Sequence, residues 1–436
     1  MAFYGAGDFG LNLYWQGVGF FLLFYYTDII GLPNTLAGFV YAIGGLVDAF
    51  TDPTVGVIAD RTKTARGRYR PYLLYGAAPL GLAYIGLFAL PLAAPAPFIA
   101  ASAVASHVVF RICYTAVSIP YGALGARLTF SARERSVLAG VRMLFGALGG
   151  VAIVALASAL RANFSDGVAL IAAAFLAGVA GAGLIVLCYL RTQEKRVWDA
   201  RAAPARTYPL PDFAGLVVAN RPFIILLCAV FLLTVANMIV IKTVIYRFEY
   251  ILAAPGAGGM AMTVITATPL ISIPLWIFAY LKFDKRPSFL LGCGTVLVGL
   301  IALYAVGGVS IALSLLAYGV IAFGFSAFAV GFWSALPDTI DYGHWKTGQR
   351  VESGLIGFAS AIQKIAIALS GFCVGVVLDM FGYAAGGEQS RATLTSLHQF
   401  TTLAPAALML AAMMSFSFYA LSTRQHSQII KDLRRR

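Results

Sequence analysis

In this chain of 436 residues, 60% are hydrophobic and only 11% charged, against roughly 25% charged in ordinary soluble domains. Too few polar side chains remain to cover such a chain in water. A soluble globular protein, a disordered or collagen-like chain and a disulfide-stapled secreted domain are thereby excluded, leaving a polytopic membrane protein. The apolar stretches run about 20 residues and do not alternate in segments of about ten, which argues for helices over a β-barrel.

In chain order, apolar stretches fall near 2–30, 33–59, 71–92, 95–126, 136–160 and 167–190, then near 222–250, 257–281, 287–306, 308–336, 352–378 and 400–422. Each is long enough to cross about 30 Å of hydrocarbon as a helix. The expected fold is all-α, twelve transmembrane helices in two six-helix bundles. Residues 1–190 form the first bundle, 191–220 a cytoplasmic central loop, 221–423 the second bundle and 424–436 a cytoplasmic tail. Of the 31 Lys and Arg, 24 lie in alternate loops and the tail, so the positive-inside rule places both termini in the cytoplasm. The net charge of +13 is thus a topology signal, and no nucleic-acid partner is expected. No basic segment precedes the first apolar stretch, which Asp8 and Asn12 interrupt, so it is read as a span and not as a cleavable signal. The five cysteines stand alone in apolar runs and are read as core residues. A faint repeat places Arg68-Tyr69-Arg70-Pro71 after the second span and Lys285-Arg286-Pro287 after the eighth. Parallel halves of this kind are a geometry of alternating-access transporters.

Ionisable groups inside such spans are costly and mark function by default. Asp48 and Asp52 share one face of the second span. Two such carboxylates can hold a cation, hold a proton or pair with a base, and Pro53 frees a backbone carbonyl beside them. The fourth span carries His107, Arg111, Tyr114, Thr115 and Ser118, four of them on one face. The depth of Arg111 in its helix makes it a partner for a carboxylate, and His107 is a packed residue before it is a proton relay. Arg142, Lys242 and Lys364 lie in the fifth, seventh and eleventh spans, while Asp8, Asn12, Trp15 and Gln16 share a face of the first. Asp8, near the cytoplasmic end of that span, has either a cap or surface role or a site role. Trp15 and Trp333 are candidates to stack on a sugar ring.

The sequence resembles the glycoside–pentoside–hexuronide:cation symporters, a branch of the major facilitator superfamily that includes the melibiose and glucuronide carriers. The resemblance runs through Tyr4-Gly5-Ala6-Gly7-Asp8, Tyr25-Tyr26-Thr27-Asp28, Asp48-Ala49-Phe50-Thr51-Asp52-Pro53 and Arg66-Gly67-Arg68-Tyr69-Arg70-Pro71. It continues through Tyr114-Thr115, Ile119-Pro120-Tyr121, Arg133-Glu134-Arg135, Asp341-Tyr342-Gly343 and Arg350-Val351-Glu352-Ser353. It implies that Asp48, Asp52 and Thr115, with Thr51 at an asparagine position, bind the coupling cation, and that Arg142 and Lys364 lie near sugar and cation. Asn12 and Ser118 stand where melibiose carriers have sugar-binding carboxylates, and Gly122 where they have an aromatic platform.

With two anionic acceptors gone and Arg142 and Lys364 kept, the pocket favours an acidic sugar or hexuronide, since Arg can grip a carboxylate with two parallel bonds. The substrate-binding candidates are therefore Asp8, Asn12, Trp15, Tyr114, Ser118, Arg142, Trp333 and Lys364. Arg111, Lys242 and His107 are candidates for coupling or ion pairing, and Arg68, Asp341, Arg350 and Glu352 for a cytoplasmic latch. The expected protein is a monomeric, multi-pass symporter of the plasma (inner) membrane. It would import a sugar or glycoside with H+ or Na+ and no other cofactor. A sodium-coupled carrier of neutral glycosides and a lipid transporter of the same fold are the alternatives. No HExxH or GxSxG motif supports an enzyme, and the short tail disfavours a receptor.

Overall fold

The computed structural model describes residues 2–62, 64–90, 95–128, 132–194, 210–306, 308–348, 352–385 and 387–435. Among the described residues there is no strand, only an isolated bridge between Thr64 and Gly67. The helices are α1 (Ala2–Gly17), α2 (Asn34–Arg61), α3 (Arg70–Phe88), α4 (Ala96–Leu128), α5 (Ala132–Arg161), α6 (Asp166–Arg191) and α7 (Leu210–Ala219). They continue as α8 (Arg221–Tyr246), α9 (Pro255–Phe283), α10 (Lys285–Val306), α11 (Ile311–Thr347), α12 (Glu352–Met380), α13 (Arg391–Ser417) and α14 (Thr423–Arg435). Among the described residues, ten helices are long and apolar enough to cross a membrane. α1, which runs on through π-helical turns at Val18–Leu22 and Tyr25–Ile29, and α2, whose apolar run carries Asp48 and Asp52, stand outside those ten. The central stretch expected as loop contains α7, and the expected tail is mostly α14. Arg350 lies outside the described residues.

The chain divides into two compact units that cut across chain order. Unit 1 holds residues 1–203, 241–267 and 371–397; unit 2 holds 204–240, 268–370 and 398–436. In unit 1, α1 packs on α5 and α6, α2 on α4, and α3 on α4 and α6. Backbone contact sets these crossings. A Cβ on Gly10 would lie 2.8 Å from the Gly181 carbonyl oxygen, and one on Gly149 2.5 Å from that of Phe9, so small residues let the helices touch. The end of α12 meets α2 in the same way, a Cβ on Gly375 falling 2.3 Å from the Asn34 carbonyl oxygen. Asp379 fixes that crossing by accepting from Asn34 Nδ2 at 2.7 Å and from the Thr35 backbone N–H at 2.7 Å. Nearby, Asp28 accepts from the hydroxyls of Tyr250 and Tyr383, and Thr27 Oγ1 lies 2.9 Å from the Tyr246 hydroxyl. Arg161 joins the same end through Asp166 at 2.8 Å and Glu249 at 2.5 Å.

In unit 2, α10 packs along α11, which also touches α7 and α14. Asp284, in a left-handed conformation at φ +69°, links two helix starts. Its carboxylate accepts from the Lys285 backbone N–H at 2.7 Å, and from the backbone N–H and hydroxyl of Thr423 at 3.1 and 2.7 Å. Burial alone would raise this carboxyl's pKa; the Thr423 and Lys285 hydrogen bonds and the Lys285 charge hold it below the ordinary carboxylate value. A carboxyl lowered on folding contributes stability above its unfolded pKa of about 3.9 and loses it as pH falls through the folded value. Asp284→Ala is therefore expected to loosen α14 at neutral pH, read as faster hydrogen exchange across Thr423–Arg435. In the unsubstituted protein the same loosening is expected only on acidification below about pH 4.

Candidate functional site

α1 presents Asp8, Asn12 and Trp15 along one face of unit 1 because their spacings of four and three residues follow the helical turn. Asp8 is buried and receives Arg142 Nε from α5 at 2.8 Å. Asn12 Nδ2 donates to the Asp8 carboxylate at 3.1 Å and to its carbonyl at 2.9 Å. Gly146, one turn after Arg142, makes room for this arrangement: a Cβ there would fall 2.5 Å from Asp8 Oδ2 and 2.8 Å from Asn12 Nδ2. Of the two readings open for Asp8, the structure gives it an internal ion pair and no capping role. Among the described residues Arg142 meets Asp8 through Nε alone, and its side chain is 45% exposed. Its guanidinium also lies over the Tyr121 ring, 5.5 Å from the centroid.

Trp15 joins this cluster to the next. Its ring lies 5.4 Å from that of Tyr114, and the Arg111 guanidinium sits 5.3 Å from its centroid. Arg111 in turn faces Asp48, Nη2 to Oδ2 at 3.3 Å, both side chains almost wholly buried. Asp52, one turn further along α2, keeps different company. Its Oδ1 accepts from Thr115 Oγ1 at 2.8 Å, and Thr51 Oγ1 lies 3.4 Å from the same hydroxyl. Asp48 thus meets a fixed internal cation, and Asp52 meets a hydroxyl of α4. Asp52, Thr51 and Thr115 form a set of hard oxygen ligands such as a small cation takes, or a carboxylate able to carry a proton. Ser118 lies half-buried one turn beyond Tyr114.

His107 and Lys242 are both buried in unit 1, on α4 and α8. Lys242 Nζ stands 3.4 Å from the centroid of the Tyr41 ring. Tyr41, Gly44 and Asp48 fall on one face of α2 at spacings of three and four, the one sequence signal that places Tyr41 beside the site. The Asp8–Arg142 pair has no such signal, since nothing in the chain order says that α1 and α5 touch.

Unit 2 holds Trp333, Lys364, Asp341 and the start of α12 at Glu352. Trp333, 55% exposed, lines a 240 Å³ cavity with Thr234, Asn237, Phe332 and Gln363. Lys364 follows Gln363 on α12 and is half-buried. Two of the latch candidates, Arg68 and Asp341, have partners inside their own units. Glu194 accepts from the backbone N–H of Arg68 at 2.9 Å and of Tyr69 at 2.7 Å, closing the start of α3. Asp341 lies 3.1 Å from His426 Nε2 on α14.

The sequence profile of the MFS/sugar transport protein family matches residues 3–423. A candidate sulfoquinovose importer of Escherichia coli is 30% identical over 444 residues, covering 99% of this chain and 93% of the relative. The uncharacterized symporter YnaJ of Bacillus subtilis is 29% identical over 439 residues, covering 99% and 94%. Among solved structures, the xylose transporter XylE from E. coli in a partially occluded inward-open conformation superposes with a TM-score of 0.69. That match has 14% identity and covers 97% of each chain. The buried charges of this helical protein thus sit in a multi-pass membrane transporter, and the chain belongs to the MFS/sugar transport protein family.

Proposed function

We propose that the chain imports an acidic sugar together with one monovalent cation. Asp8 is met by Arg142 and Asp48 by Arg111. The observation that carries this reading is the oxygen group around the Asp52 carboxylate, whose Oδ1 accepts from Thr115 Oγ1, with Thr51 Oγ1 3.4 Å from the same hydroxyl. One such carboxylate suits one H+ or one Na+. The substrate class follows from Arg142. Its terminal N–H groups are not spent on Asp8, and a guanidinium edge recognises a carboxylate or sulfonate through two parallel bonds. Asn12 beside it is neutral and repels no acid. A relative named for sulfoquinovose, a sulfonated sugar, favours the same class. Trp15 and Tyr114 supply the apolar face for a pyranose ring, and movement of substrate follows from alternating access of the fold.

The test is uptake of a labelled β-glucuronide or of sulfoquinovose into proteoliposomes. An inward proton gradient is imposed without sodium, then an inward sodium gradient without a proton gradient. Uptake of an acidic sugar that a neutral galactoside fails to compete, driven by one of the two gradients and lost in Arg142→Met, is the expected result. Full competition by neutral disaccharides overturns the acidic class. Equal uptake with neither gradient overturns coupling.

A further inference from the structure

Within unit 1, α2, α4 and α8 enclose three basic side chains apart from the Asp8–Arg142 pair. Lys242 is 1% exposed, His107 0% and Arg111 2%. Lys242 Nζ, both ring nitrogens of His107 and Arg111 Nε have no hydrogen-bond partner among the described residues. The Tyr41 ring joins two of them, its centroid 5.7 Å from the His107 ring and 3.4 Å from Lys242 Nζ. The carboxylate beside them is Asp48, and it faces Arg111. Arg111 is met by Asp48, which leaves Lys242 without a carboxylate partner among the described residues.

Unmatched buried donors cost more than matched ones, and a buried charge that no opposite charge meets costs more still. The Tyr41 ring face under Lys242 offers a quadrupole but no hydrogen-bond acceptor. Two of these unmatched nitrogens, on His107 and Arg111, crowd Gly44 of α2. A Cβ there would lie 2.2 Å from His107 Nε2 and 2.9 Å from Arg111 Nε, so both nitrogens approach bare backbone that any other residue would cover. We propose that His107, Arg111 and Lys242 form a binding site for one monovalent anion: a halide, or the carboxylate or sulfonate group of an organic anion. The site is separate from the Asp8–Arg142 pair and stands whether or not the transported sugar is acidic.

The experiment is thermal unfolding of the purified full-length protein in detergent, titrated in parallel with sodium chloride and sodium methanesulfonate. Wild type, Lys242→Met and Lys242→Arg are compared at each concentration. The expected result is a saturable rise in Tm for wild type that is lost in Lys242→Met and kept in Lys242→Arg. Saturation with chloride alone assigns the site to a free halide; saturation with methanesulfonate as well assigns it to acid groups. His107→Leu serves as a second variant should Lys242→Met not fold, and a weakened half-saturation is expected there. A wild-type Tm that shows no saturable response to either anion overturns the site, because Lys242 would then be held as a neutral amine. An equal response in Lys242→Met overturns it too, because the anion would then bind elsewhere.

Discussion

Asp52→Asn is expected to abolish gradient-driven accumulation while leaving substrate exchange down its own gradient. Asparagine keeps the shape of the side chain and an oxygen for Thr115, whose hydroxyl lies 2.8 Å from Asp52 Oδ1. It cannot carry a negative charge or release a proton, so the site can no longer cycle a cation. Each elementary charge moved across 100 mV is worth about 2.3 kcal/mol, a ratio of roughly 50-fold for a neutral substrate. A monovalent acid carried with one cation moves no net charge and draws instead on the cation's own chemical gradient. In either case the variant should bring the inside-to-outside ratio to about one at zero net driving force. Counterflow of labelled against unlabelled substrate should persist, because the Asp8–Arg142 and Trp15–Tyr114 contacts are untouched. Full energised accumulation by Asp52→Asn would remove Asp52 from the coupling site.

What the chain discloses by itself is what lies along single helices. The four-residue step from Asp48 to Asp52 and the stripe from His107 to Ser118 are periodicities, visible without any tertiary knowledge. The depth of Arg111 in its helix already suggests a carboxylate partner. The different fates of Asp48 and Asp52 are not visible, because they depend on which residues of α4 meet each turn of α2. Asp8 with Arg142 joins α1 to α5, helices far apart in sequence that touch at the Gly-lined crossing of Gly149 on Phe9, and Lys242 with Tyr41 joins α8 to α2. A glycine in an apolar run reads as tolerated until its neighbour is known. The two compact units show the same limit. Segments of α8, α9, α12 and α13 belong with the first six helices by contact, although composition places them wholly in the second half.

The Asp48–Arg111 pair gives the other large effect. Its side chains are 1% and 2% exposed, so neither charge falls back on water when its partner is removed. Arg111→Met or Asp48→Leu alone should destabilise the protein by about 3–5 kcal/mol, the range for breaking a buried ion pair. Removing both together replaces two desolvated charges by apolar groups of similar bulk, and such exchanges are often neutral or stabilising. The double variant is therefore expected to be less destabilised than either single variant, so the interaction energy in a double-mutant cycle on detergent-solubilised protein should exceed a single loss, about 3 kcal/mol or more. Additive single losses would show that Asp48 and Arg111 are stabilised by separate neighbours. Transport by the double variant then divides the roles of the two carboxylates. If Asp48 serves as the counter-ion of Arg111 and Asp52 as the cation ligand, the double variant keeps cation-driven accumulation. If accumulation disappears while the fold is restored, Asp48 itself belongs to the cation's path, and Arg111 holds its place between cycles.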